Sequence, residues 1–138
     1  MTQTIDPVAS QLPGILAALP QDRPIVMLNL LKFSEQARYR HGETPCSGRE
    51  AYARYAQVAE QKVQAVGGQV AYMGRVKGLL IAPPEEHWDE VLLVRYPSAS
   101  AFAAMLTMPD YMAATRHRTA ALDDARLIAT VQAAAQAT

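Results

Sequence analysis

Four apolar segments, each bounded by turn formers, set the order of elements this chain can adopt. They are Ile25 to Phe33 (IVMLNLLKF), Gln69 to Ala82 (QVAYMGRVKGLLIA) after Gly67-Gly68, Trp88 to Tyr96 (WDEVLLVRY) after Pro83-Pro84, and Ala125 to Val131 (ARLIATV). Runs rich in β-branched, aliphatic and aromatic residues between Gly and Pro punctuation read as strands. One helical pattern separates the first from the second, and one or two more separate the third from the fourth. The order is therefore β-α-β-β-α-β, an α+β chain.

The first helix carries its own boundaries. Ser47 and Glu50 form an S-x-x-E capping box, in which hydroxyl and carboxylate each satisfy an orphan backbone donor. Tyr52, Tyr55, Ala56, Ala59, Val63 and Val66 recur at helical spacing and mark the face turned to the sheet. Gly67 stops the helix, because Gly takes a left-handed conformation without steric cost. The second helical region starts at Ser98 with Ala99, Phe102, Ala103 and Leu106 on its inner stripe and is interrupted at Pro109. Thr107 is expected to cap a second piece, with Asp110 three residues on. That piece mixes Tyr111, Ala114 and Leu122 with His117 and Arg118, so its inner stripe is not purely core filler. Ahead of the first strand, Pro7, Pro13, Pro20 and Pro24 leave room for one short amphipathic helix around Ile15, Leu16 and Leu19. Residues 132–138 are Ala, Gln and Thr and are expected to fray.

Charge and composition narrow the function classes. The 138 residues, half of them apolar, suffice for one core without disulfide or metal staples, so residues 1–138 read as one domain with an N-terminal extension over 1–24. Thirteen basic and thirteen acidic side chains cancel, which leaves no electrostatic footprint for nucleic acid or anionic membrane. Cys46 is the single cysteine, which fits a reducing compartment, and neither a bilayer-spanning run nor a secretory leader is present, so a cytoplasmic location is expected. No Gly-rich phosphate loop, G-x-S-x-G elbow or C-x-x-C pair occurs.

The polar residues inside apolar segments are the candidates for chemistry. Asn29 and Lys32 interrupt the first strand, and burying an amide without partners costs about 1 to 3 kcal/mol, so Asn29 either braces the fold or faces a pocket. Arg116, His117 and Arg118 follow one another on a helix and cannot share one face. Either Arg118 reaches a carboxylate such as Asp89, Asp123 or Asp124, or His117 or Arg118 borders a ligand cavity between helix and sheet. A hairpin centred near Glu85 would pair Arg75 with Arg95 on one face, an arrangement that makes sense if an anion or carboxylate sits between them. Tyr52 and Tyr55 are core residues whose hydroxyls reach a polar tip, and Tyr72 and Trp88 either line an aromatic pocket or simply cover an end of the fold. His41, His87 and His117 show no metal-binding spacing, so no metal and no cofactor is expected, although a haem held by one residue stays compatible with the sequence.

Taken together, PIVMLNLLKF, SGREAYARYA, VLLVRYPS with AFAAM, and PDYMAATRHRTAALDDARLI resemble a bacterial domain-of-unknown-function family of the dimeric α+β-barrel superfamily, from Pro24 to Ile128. The resemblance implies a ferredoxin-like β-α-β-β-α-β unit and a homodimer that pairs two sheets into a barrel. That superfamily holds cofactor-free monooxygenases, isomerases, haem enzymes and proteins without known activity, so the resemblance implies no single chemistry. Two classes follow. One is a cofactor-independent enzyme, isomerase- or monooxygenase-like, acting on a small carbonyl or carboxylate compound. In it Asn29, Lys32, Arg75, Arg95, Trp88 and Arg118 would bind the ligand, and His117 or Tyr55 would move a proton. The other is a noncatalytic dimeric binding or structural module. A pocket holding Asn29, an arginine and a titratable group favours the first.

Overall fold

The computed structural model describes residues 2–133, so the expected frayed tail lies, from residue 134 onward, outside the described residues. In chain order the elements are α1 (Leu12–Ala18), β1 (Ile25–Phe33), α2 (Gly48–Ala65), β2 (Gln69–Arg75), β3 (Glu90–Tyr96), α3 (Ala99–Leu106), α4 (Pro109–Ala121) and β4 (Leu122–Thr130). The sheet runs β2-β3-β1-β4 with every neighbouring pair antiparallel. Apart from α1, this is the ferredoxin-like β-α-β-β-α-β arrangement with its second helix broken into α3 and α4.

Local chemistry explains most boundaries. The Glu50 amide donates to Ser47 Oγ at 3.1 Å while the Ser47 amide donates to Glu50 Oε1 at 2.8 Å, closing the capping box. Gly67, at φ 84°, ends α2 in the left-handed region. Ser98 caps α3 by accepting from the Ala101 amide at 3.1 Å. The break at Pro109 is present, but Thr107 does not cap α4. It terminates α3, its hydroxyl donating back to the Ala104 carbonyl at 2.8 Å, and Met108 precedes Pro109 without a side-chain cap. Proline needs no amide partner in the first turn, so α4 starts without one.

Two strands are shorter than their apolar runs. β2 ends at Arg75 and β3 starts at Glu90, because Gly78, Pro83 and Pro84 turn the chain out of the ladder. The ladder is carried one step further by the Val76 amide, which donates to the Asp89 carbonyl at 2.9 Å. Leu80 and Ile81, at 96% and 98% exposure, form the tip of this excursion. β4 instead begins earlier than its apolar run, since Leu122, fully buried, follows α4 directly.

Strand parity separates two faces. Ile25, Met27, Asn29 and Leu31 alternate as buried residues along β1, and the pairing register sets Val94, Tyr96 and Ala125 on the same side, beneath the helices. Ile25, Leu31, Met105 and Leu122 are the largest fully buried side chains of this layer. The opposite face carries Val26, Leu28 and Leu30 with Val91, Leu93, Tyr72 and Ile128, all half-buried or exposed.

Candidate functional site

The helix-covered face does not close completely. Between β1 and β4, α3, α4 and the N-terminal segment lies a cavity of 740 Å³, in the range of small-molecule sites. Its apolar wall includes Leu12, Ile15, Leu16, Phe102, Leu106 and Leu127, and Asn29, Tyr55, Tyr111 and Arg118 reach it from three elements. Leu127 stands opposite Asn29 in the β1-β4 pair and is 43% exposed, although its parity is that of the core, because it faces this space.

Asn29 is 8% exposed, and its amide nitrogen donates to the Leu92 carbonyl at 3.2 Å and to its own strand's Met27 carbonyl at 3.4 Å. No hydrogen bond among the described residues uses its side-chain oxygen, which leaves an acceptor on the cavity wall. Both alternatives raised by the sequence therefore hold: Asn29 braces the strand and faces a pocket.

Tyr55 and Tyr111 meet through their hydroxyls at 2.8 Å, α2 bringing one phenol and α4 the other. One O–H donates within the pair, so the second is free to donate to a ligand oxygen. Burial, then the Tyr111 hydroxyl, pushes the Tyr55 pKa well above its usual 10.0, so the phenol keeps its proton at neutral pH. Arg118 Nη1 donates to the Ile5 carbonyl at 2.6 Å, tying α4 to the N-terminal segment. None of the carboxylates expected as its partner is used: Asp123 takes Arg38, Asp124 takes Arg126, and Asp89 takes His87 and the Phe33 amide.

His117 lies outside this cavity. Arg54 donates to the Tyr39 hydroxyl oxygen at 3.3 Å, and the same hydroxyl is hydrogen-bonded to His117 Nδ1 at 2.6 Å. Glu43 bridges Arg54 and Arg116 beside the same ring, so the group fastens the connection before α2 onto α4. Burial, then Arg116, lowers the His117 pKa from 6.5. The unfolded chain therefore takes up this proton first, and the stability contributed by the neutral ring is complete above pH 6.5 and falls as pH drops through the folded value. NMR titration of the ring is expected to give a midpoint below 6.5, and a midpoint above it would contradict this assignment.

The Arg75-Arg95 pairing is corrected by the register. Arg95 stands opposite Gln69 and Val26, whereas Arg75 stands opposite Glu90 at the far end of the hairpin, and a bulge between Val70 and Tyr72 changes the parity. The pairing centres the hairpin between Ala82 and Pro83, not near Glu85, and the two arginines fall on opposite faces. Neither lines the cavity. Lys32 lies opposite Asp124, and Trp88 donates to Glu86 Oε2 at 2.9 Å beneath the Arg126 guanidinium, 5.2 Å from its ring centre, so both also lie outside. Of the residues singled out from sequence, the cavity brings together Asn29, Tyr55 and Arg118, and it adds Tyr111 and the N-terminal segment. Tyr111 was legible only as part of a mixed helical stripe. Among the described residues, no three His, Cys, Asp or Glu side chains cluster to hold a metal ion.

A family described as a domain of unknown function (DUF1330) matches residues 39–132. The chain belongs to the DUF1330 family. A solved protein of unknown function from Rhodopseudomonas palustris is 38% identical over 93% of this chain and 95% of its own, with TM-score 0.85. The methylated form of that protein superposes with TM-score 0.89 at 36% identity, covering 99% of this chain and 100% of its own. A hydroxynitrile lyase from Passiflora edulis shares the fold alone, with TM-score 0.53 at 7% identity over 83% of this chain and 98% of its own. No curated protein matches.

Proposed function

We propose that this DUF1330 chain is a cofactor-independent enzyme, isomerase- or monooxygenase-like, that takes a small carbonyl or carboxylate compound into the cavity beneath α1. The convergence of Asn29, the Tyr55-Tyr111 pair and Arg118 on a mainly apolar wall carries this reading. A ligand oxygen would receive the spare phenol proton as a hydrogen bond, with charge developing there stabilised by the guanidinium. Asn29 Oδ1 would accept from a donor on the ligand. A noncatalytic binding role is favoured by one observation: Asp6 is the one carboxylate among the lining residues, and it already accepts from the Thr119 hydroxyl at 2.8 Å.

Thermal-shift screening with small carboxylates and dicarbonyls tests the site. Stabilisation of wild type that is lost in Ala129→Phe, which fills the wall opposite Met27, is the expected result. Hits retained in full by Ala129→Phe would place binding elsewhere. Turnover of a bound compound that falls at least tenfold in Tyr111→Phe separates the enzyme from the binding module.

We also infer that the open sheet face is covered by a second copy. Leu28, Leu30, Val91 and Leu93 lie on it with Tyr72, and such a contiguous apolar face is costly to leave in water. Light scattering at micromolar concentration is expected to give a dimer for wild type and a monomer for Leu93→Glu; monomeric wild type would overturn the pairing. Among the described residues no helix is long and apolar enough to cross a membrane, and the free thiol of Cys46 supports a cytoplasmic setting.

A further inference from the structure

Arg118 differs from the other arginines packed around α4 and β4. Arg38 holds Asp123, Arg116 holds Glu43, and Arg126 holds Asp124 while stacking on Trp88. Arg118 has no carboxylate among the described residues, only the neutral Ile5 carbonyl on Nη1. A guanidinium offers five N–H donors in a planar fork, so most of this fork is uncommitted. The side chain is half-buried on the cavity wall, where a cation without a counter-ion is unfavourable and a carboxylate would relieve it.

Asp6, Thr115, Thr119 and Arg126 are polar neighbours of Arg118 on the wall, and most of the remaining lining is apolar. Phe102, Leu106 and Leu127 form the cavity's inner side, and Leu12, Ile15 and Leu16 of α1 roof it. None of the α1 residues is buried, and a Cβ at Gly14 would meet nothing within 4 Å. By contrast, Thr4 is pinned to the edge of β4: its amide donates to Asp124 Oδ1 at 2.9 Å, and its hydroxyl donates to the Ala125 carbonyl at 2.7 Å. The anchor that presents Ile5 to Arg118 is thus fixed, whereas the α1 roof is lightly held over an unfilled channel.

We propose, building on the ligand-cavity reading above, that the natural ligand is a monocarboxylic acid with an apolar tail: its carboxylate seats on the uncommitted N–H groups of Arg118 and its tail lies beneath α1. Arg118 is then the specificity-determining residue, selecting an acid over a neutral compound of equal shape. Asn29 and the tyrosine pair are left to read a second oxygen function on the same ligand. Guanidinium geometry matters as well as charge, because a lysine supplies a point cation without the fork.

The test is calorimetric titration of the full chain with octanoate and with octanamide, on wild type, Arg118→Met, Arg118→Lys and Ala129→Phe, with the folding of each variant checked by its melting temperature. The expected result is octanoate binding at least tenfold tighter than octanamide in wild type, a preference abolished in Arg118→Met and only partly kept in Arg118→Lys. Equal binding of the two compounds, or an octanoate affinity unchanged in Arg118→Met, overturns the carboxylate assignment while leaving the cavity intact as a site for neutral ligands. Octanoate affinity unchanged in Ala129→Phe, or no binding of either compound, overturns the cavity reading and this proposal with it.

Discussion

Gly48→Ala is expected to destabilise the fold by about 3 kcal/mol or more, a large share of the ~5 to 15 kcal/mol a domain of this kind possesses. A Cβ at this first residue of α2 would press into the Ser34 carbonyl oxygen and lie 2.6 Å from the Ala121 carbonyl oxygen and 2.9 Å from the Ser34 amide nitrogen. All three are backbone atoms already bonded to one another or to Gly48: the Ser34 amide donates to Ala121 O at 2.8 Å, and the Gly48 amide donates to Ser34 O at 3.1 Å. No side chain can swing aside, so the start of α2 must separate from the end of β1 and of α4. Urea unfolding measures the loss, and a cost below about 1 kcal/mol would show that the junction yields.

Asn29→Asp is expected to cost about 3 kcal/mol at neutral pH and to recover as the solution is acidified. The replaced nitrogen faces the Leu92 and Met27 carbonyls, so an ionised carboxylate of the same shape would set oxygen against oxygen in a buried site. Such burial raises a carboxyl pKa by a few units, at 1.36 kcal/mol for each. The folded variant then binds its proton more tightly than the unfolded chain. Its penalty is complete above the folded pKa, shrinks as pH falls through it, and vanishes below the unfolded value near 4. Asn29→Leu, which carries no charge, is expected to lose less stability and to show no such pH dependence. Equal pH profiles for the two variants, compared by urea unfolding from pH 4 to 7, would contradict the brace geometry.

How much of this was legible in the sequence depends on the range of the interaction. Ser47 with Glu50, Gly67 and Ser98 act within one turn of chain, and their roles in the structure are those their spacing implies. Asn29 and Arg118 announced themselves as polar groups on apolar stripes, and both reach the cavity. Register across a long connection is different: moving the hairpin centre from Glu85 to between Ala82 and Pro83, with a bulge after Val70, was enough to send Arg75 and Arg95 to opposite faces. His117 shows the same limit on a helix. Its partner Tyr39 comes from an irregular connection whose path no periodicity encodes, so a candidate proton carrier turned out to hold that connection in place. The N-terminal segment carried little signal because its function is mostly positional: Thr4 and Ile5 present main-chain groups to β4 and Arg118, which any residue could supply, and only the Thr4 hydroxyl on the Ala125 carbonyl is particular to its side chain.

The buried phenols of α2 bear on the proposed role of the cavity. Tyr52, beside Tyr55 on α2, has its pKa pushed up to about 12 by burial, opposed by the Arg118 guanidinium. With Tyr55 raised as well, these two phenols are donors at neutral pH, which suits polarisation of an oxygen and not abstraction of a proton.

The most direct measurement of the central claim is crystallographic screening of the full chain with small carbonyl and carboxylate compounds. Density is expected beneath α1, with an oxygen within hydrogen-bonding distance of Arg118 or the Tyr55-Tyr111 pair and the remainder against Phe102, Leu106 and Leu127. Compounds found only on the open sheet face or at the Leu80-Ile81 tip, with α1 settled into the cavity and the space filled by its own side chains, would contradict it.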